Sequence, residues 1–155
     1  MATTATLFDE YCPGERQGQY EVRNRQVTPD IAITRDLEIE PLQAILRLGS
    51  LPHGWDRAGS PAPLHEAMDV AIHMVLVASR LGLEELSAPS VFPVPGGGVQ
   101  LEWREEDRVL EIEILPDGSA QFVAGIDGDP RDEGEVPIWP PTKLASLLSW
   151  LVAGA

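Results

Sequence analysis

The chain has 155 residues, of which 43% are hydrophobic and 23% charged, the size and composition of one globular domain, which excludes wholesale disorder and a fibrous repeat. Twenty-five Asp and Glu against eleven Lys and Arg leave a formal charge of −14, which excludes direct nucleic-acid binding through clustered basic residues. The single cysteine excludes an intrachain disulfide framework and a zinc site of two or more thiolates.

Residues 1–37 are polar and weakly patterned. Tyr20/Val22 and Ile31/Ile33 alternate with polar neighbours, so this stretch is expected to be a partly extended N-terminal arm preceding one domain over 38–155. Its opening residues, Met1 to Glu10, show neither the basic region nor the apolar run of a secretory signal. The longest apolar stretch, Val70 to Ala78, is broken by His73 and falls far short of the roughly 18–20 residues that cross a bilayer. A soluble cytoplasmic protein without a membrane partner is expected, and Cys12 fits a reducing compartment. Ten Arg against one Lys, Lys143, suggest a GC-rich bacterial genome.

Pro41 sits where a helix can begin, and Leu42, Ile45 and Leu46 follow at helical spacing before Gly49, giving a short helix. Leu51 to Ser60 reads as a turn-rich connection in which Trp55 anchors the loop and Asp56 caps a turn. Ser60-Pro61 is expected to open the main helix, Ser60 as N-cap and Pro61 and Pro63 in its first turn. Leu64, Met68, Ala71, Ile72 and Val75 form one apolar stripe and Val70, Met74, Val77 and Leu81 a second, so the helix over 61–81 is expected to be buried on most of its circumference.

After Ala88-Pro89 the hydrophobic period switches from 3.6 to 2. Ser90 to Pro95 reads as an edge-type strand because it carries Pro93. Val99, Leu101 and Trp103, then Leu110, Ile112 and Ile114, then Ala120, Phe122 and Ala124 alternate with mostly polar residues. Parity predicts a meander, with Leu101 opposite Leu110, a turn at Glu105-Glu106, and Ile112 opposite Phe122 across the Leu115-Pro-Asp-Gly-Ser119 turn. Gly125 to Glu135 reads as an acidic loop. Leu144, Leu147, Leu148 and Leu151 share one face of a last helix. The expected fold class is α+β: an antiparallel meander of three to five strands with the long helix across its apolar face, a short N-proximal helix and a C-terminal helix.

The Leu51-Pro-His-Gly-Trp-Asp56 loop, the Ser60-Pro61 helix start, Gly-Gly-Val-Gln-Leu-Glu-Trp over 97–103 and Leu-Pro-Asp-Gly over 115–118 together resemble a family of small bacterial proteins with no assigned activity. The resemblance spans roughly residues 41–125 and departs at Arg57-Ala58, where the family pattern has an aromatic-Gly pair. It implies the helix-then-meander order and no particular chemistry.

Candidate chemistry is sparse. His65, Asp69 and His73 share a helix face at i, i+4 and i+8, but eight residues separate the histidines by about 12 Å of rise, so a polar strip is the simpler reading. Asp127-Gly-Asp-Pro-Arg-Asp-Glu-Gly-Glu135 has Arg131 at the fifth position and Ile138 at the twelfth, where a calcium loop needs oxygen ligands. Gly96-Gly97-Gly98 lacks the Lys-Ser/Thr of a phosphate loop. No cofactor is implied. Residues 102–135 hold twelve acids and three bases, a net −9, about two-thirds of the total charge. Glu102, Glu111 and Glu113 are expected to project from adjacent strands on one side of the sheet, with Asp127, Asp129 and Asp132 in the loop beyond. These six residues are the expected contact set of a non-enzymatic, protein-binding domain that engages a basic protein partner, as antitoxins, immunity proteins or adaptors do. The alternative is a small metal-dependent enzyme using the His65/Asp69/His73 face.

Overall fold

A computed structural model of the chain describes residues 39–154; the expected extended arm and Cys12 lie outside the described residues. In chain order the elements are α1 (Ile39–Leu48), α2 (His65–Arg80), β1 (Ser90–Val94), β2 (Gly98–Glu105), β3 (Arg108–Ile114), β4 (Ala120–Ile126), β5 (Asp129–Glu135) and α3 (Thr142–Val152). The strands form one antiparallel sheet in the order β1-β2-β3-β4-β5. The α+β meander expected from the change of hydrophobic period is the observed fold.

Strict alternation in β2, β3 and β4 produces two unlike sheet faces. Val99, Leu101, Trp103, Leu110, Ile112, Ile114, Ala120, Phe122 and Ala124 are all buried on one side. They join Ala67, Met68, Ala71, Met74, Val75 and Ala78 of α2 and Leu144, Leu147, Leu148 and Leu151 of α3 in a single hydrophobic cluster. Both α2 and α3 contact β2 and β3. The core therefore occupies the inner face, and the opposite, outer face carries Gln100, Glu102, Glu111, Glu113 and Gln121 of the three central strands.

Three local expectations are corrected. First, α2 begins at His65, with Leu64 in the N-cap position and in extended conformation, not at Ser60-Pro61. A residue before proline is pushed out of the helical region, so Pro61 and Pro63 disfavour helix at Ser60 and Ala62, neither of which is helical. Ser60 instead donates from Oγ to Asp56 Oδ2 at 2.5 Å and accepts the Gly96 N–H at 3.3 Å. Second, Leu101 faces Ile112 and Trp103 faces Leu110, two residues on from the expected pairing. The turn falls at Glu106-Asp107, inside the Glu105/Arg108 pair, with Glu106 at φ 51°. Parity survives such a slip because the side-chain period is two. Third, Asp129–Glu135 is a strand paired with β4, not a loop. On the β3–β4 side, Ile112 faces Phe122 and Ile114 faces Ala120 as expected, around a turn with Gly118 at φ 83°.

Two close approaches fix the β1–β2 hairpin. A Cβ on Gly98 would lie 2.6 Å from the Ile114 carbonyl oxygen, so only glycine lets β2 start there. The Gly97 carbonyl accepts the Leu64 N–H at 2.9 Å, tying the hairpin turn to the start of α2.

Candidate functional site

The register arranges the outer face into two rows that run across all five strands. One row reads Phe92, Gln100, Glu113, Gln121 and Glu135; the other reads Ser90, Glu102, Glu111, Val123 and Glu133. Five glutamates thus lie in these two rows, and Arg104, farther along β2 on the same face, donates from Nη2 to Glu102 Oε1 at 2.9 Å. Glu102 and Glu111 stand directly opposite each other, and like charges at such a pair repel across about 5 Å. Gln100, Glu111, Glu113, Gln121, Glu133 and Glu135 border a shallow concavity of about 430 Å³. A second, of about 270 Å³, lies beside it over Arg104, Val109, Val123 and Pro130. Carboxylates accept hydrogen bonds and carry charge; this surface suits the binding of cationic groups.

The sequence-derived contact set divides. Glu102, Glu111 and Glu113 come together on the outer face. Asp127 lies in the β4–β5 turn at φ 53°, its N–H donating to the Asp107 carbonyl at 2.8 Å, and Asp129 faces Ile126 at the start of β5. Asp132 faces the buried Ala124 and so has inner-face parity. There Lys143 of α3 sits 3.7 Å from Asp132 Oδ2 and 4.5 Å from the centre of the Phe122 ring, so this aspartate does not join the glutamate cluster. Glu133 and Glu135 take its place. Their alternation carried no signal, because all seven residues of β5 are exposed and no apolar partner residues mark the strand.

His65, Asp69 and His73 do not gather. No group of three or more His, Cys, Asp or Glu side chains disposed to hold a metal occurs among the described residues. His73 Nε2 is buried without a hydrogen-bond partner among them. Trp55 and Asp56 do organise their loop: the indole Nε1 donates to the Pro61 carbonyl at 2.9 Å. Asp56 Oδ1 accepts from the Ala58 and Ser60 backbone at 2.9 and 3.1 Å. The Ser60 hydroxyl, followed by the Ser60 and Ala58 backbone donors, holds the Asp56 carboxyl below its usual range. The Ser119 hydroxyl and N–H do the same for Asp117. Trp139 is 77% exposed.

No helix among the described residues is long and apolar enough to cross a membrane. No protein-family model matches the chain, and neither a curated protein nor a solved structure is significantly similar to it.

Proposed function

We propose that this protein is a non-enzymatic, acidic binding domain that engages a basic partner protein through the outer face of its sheet, as antitoxins, immunity proteins and adaptors do. The observation that carries the reading is the row geometry: five glutamates in two adjacent rows of one sheet face, with Glu102 paired to Arg104. Clustering like charges there costs stability in the free protein, and a cationic partner relieves that cost. The same field speeds encounter with a positively charged surface and repels phosphate backbones, so direct nucleic-acid binding is not part of the proposal. The Arg-over-Lys usage and the lone cysteine favour a bacterial cytoplasmic setting.

The test uses the triple variant Glu102→Gln, Glu111→Gln, Glu113→Gln. Relief of repulsion should leave the fold as stable as the wild type or more stable by up to about 1 kcal/mol. A basic partner captured from the native host at low salt should associate more slowly with the variant. Wild-type association should also slow as salt rises from 0.1 to 1 M, because the Debye length shrinks from about 10 Å to about 3 Å over that range. Equal association rates for both proteins, with no salt dependence, would reduce the acidic face to a solubilising surface.

A further inference from the structure

Strand β5 closes one side of the sheet, and its backbone orientation can be read from one hydrogen bond. The Val136 N–H donates to the Ala120 carbonyl at 2.9 Å, so 120 and 136 are a hydrogen-bonded antiparallel pair. The register continues through Phe122/Gly134 and Ala124/Asp132, with Gln121/Glu135 and Val123/Glu133 between them. In an antiparallel ladder the hydrogen-bonded and non-bonded pairs alternate. Residues 132, 134 and 136 therefore direct their N–H and C=O groups toward β4, while Glu133 and Glu135 direct theirs away from the sheet. β5 is the last strand of the sheet and every residue of it is exposed, so among the described residues no strand pairs with this row of donors and acceptors.

We propose, building on the acidic-face reading above, that the β5 edge is where the partner docks, by adding a strand with Lys or Arg at alternate positions. A strand hydrogen-bonded to Glu133 and Glu135 places the side chains directly opposite them on the outer face, beside both carboxylates and the 430 Å³ concavity that also touches Glu111 and Glu113. Backbone pairing supplies register, and the glutamates select positive charge. The same edge disfavours neutral or acidic strands. Pro130 lies within it, the β4–β5 pairing is irregular at Ala124/Gly125, and Asp132 points a charge toward the inner side, all features that discourage indiscriminate pairing of sheet edges. A second copy of β5 pairing about Glu133 sets two Glu133 carboxylates against each other, which leaves a basic strand as the complementary occupant.

The probe is a fluorescently labelled peptide, acetyl-Lys-Thr-Lys-Val-Lys-Thr-Lys-amide, titrated into the full chain. It is compared with the same peptide N-methylated at alternate backbone amides, which keeps the charge and removes strand-pairing donors. The unmodified peptide should bind with salt-sensitive affinity, and methylation on the pairing edge should weaken it about tenfold, the effect of losing one or two backbone hydrogen bonds. Glu133→Gln removes only a charge. Glu133→Pro also removes the outward N–H, at a position where the ladder to β4 does not use it, and should weaken binding severalfold further than Glu133→Gln. Equal binding of the two peptides overturns strand addition while sparing the acidic-face reading; failure of both to bind at low salt overturns the two together. Light scattering that finds a dimer, lost in Glu133→Pro, assigns the edge to a second copy and also overturns the proposal.

Discussion

Trp103 is the most demanding position in the core. Its side chain is 0% exposed, sits on β2 opposite Leu110, and has an indole Nε1 with no hydrogen-bond partner among the described residues. Two opposing contributions follow. A buried tryptophan removes about 200 Å² from water, and at about 25 cal/mol per Å² that burial stabilises by about 5 kcal/mol. The orphaned N–H offsets about 1–3 kcal/mol of it. Trp103→Ala loses the burial and leaves a cavity, yet also removes the orphaned donor, so a net loss of about 3–4 kcal/mol is expected, inside the usual range for deleting a large buried aromatic. Trp103→Phe keeps most of the apolar contact and removes the same donor, so it should change stability by less than about 1.5 kcal/mol. Urea unfolding of the three proteins, compared at equal m-value, measures both differences. A loss below about 1 kcal/mol for Trp103→Ala would show that the residue is not central to the sheet. A Trp103→Phe loss close to that of Trp103→Ala would show that the indole N–H is hydrogen-bonded after all.

Gly98→Ala should destabilise by about 1–3 kcal/mol, because the new Cβ would meet the Ile114 carbonyl at 2.6 Å; thermal unfolding reads this, and a neutral result would mean that β2 and β3 separate easily at that end. Arg108 donates from Nη1 to the Trp150 carbonyl in the last turn of α3 and lies 5.1 Å from the Trp150 ring centre. Arg108→Met should therefore cost about 1–3 kcal/mol and speed amide exchange at the end of α3, an effect that hydrogen-exchange mass spectrometry would detect or refute. The Asp56 carboxyl titrates below its ordinary value of 3.8 because the Ser60 hydroxyl and the Ser60 and Ala58 N–H groups bond its ionised form. Its contribution is thus fully present above the unfolded value and disappears as pH falls through the lower folded one. Asp56→Ala should flatten the acid limb of the stability curve below about pH 4, and parallel curves for variant and wild type would contradict the assignment.

The sequence by itself determined which face of each central strand is buried. Val99, Leu101 and Trp103 alternate with Gln100, Glu102 and Arg104, and no register that buries the apolar set can expose it as well. From that alternation followed the sheet, its antiparallel meander and the common side of Glu102, Glu111 and Glu113. Alternation does not distinguish registers two residues apart, and Glu106-Asp107 contains none of the glycine or asparagine that usually marks a two-residue turn. The pairing of Leu101 with Ile112 was therefore settled by packing. Ser60 has the residue type of a helix cap, since a cap needs only a nearby hydroxyl, but Pro61 disfavours helical backbone at Ser60 and the Asp56 carboxylate takes its hydroxyl. Strand β5 left no periodic trace, because an edge strand with Asp132 and Gly134 at its inner positions contributes almost nothing to the core. Only the tertiary structure decided that Glu133 and Glu135 extend the glutamate rows while Asp132 turns toward Lys143: charge in a sequence reports how many carboxylates there are, and pairing decides which side of a sheet they occupy.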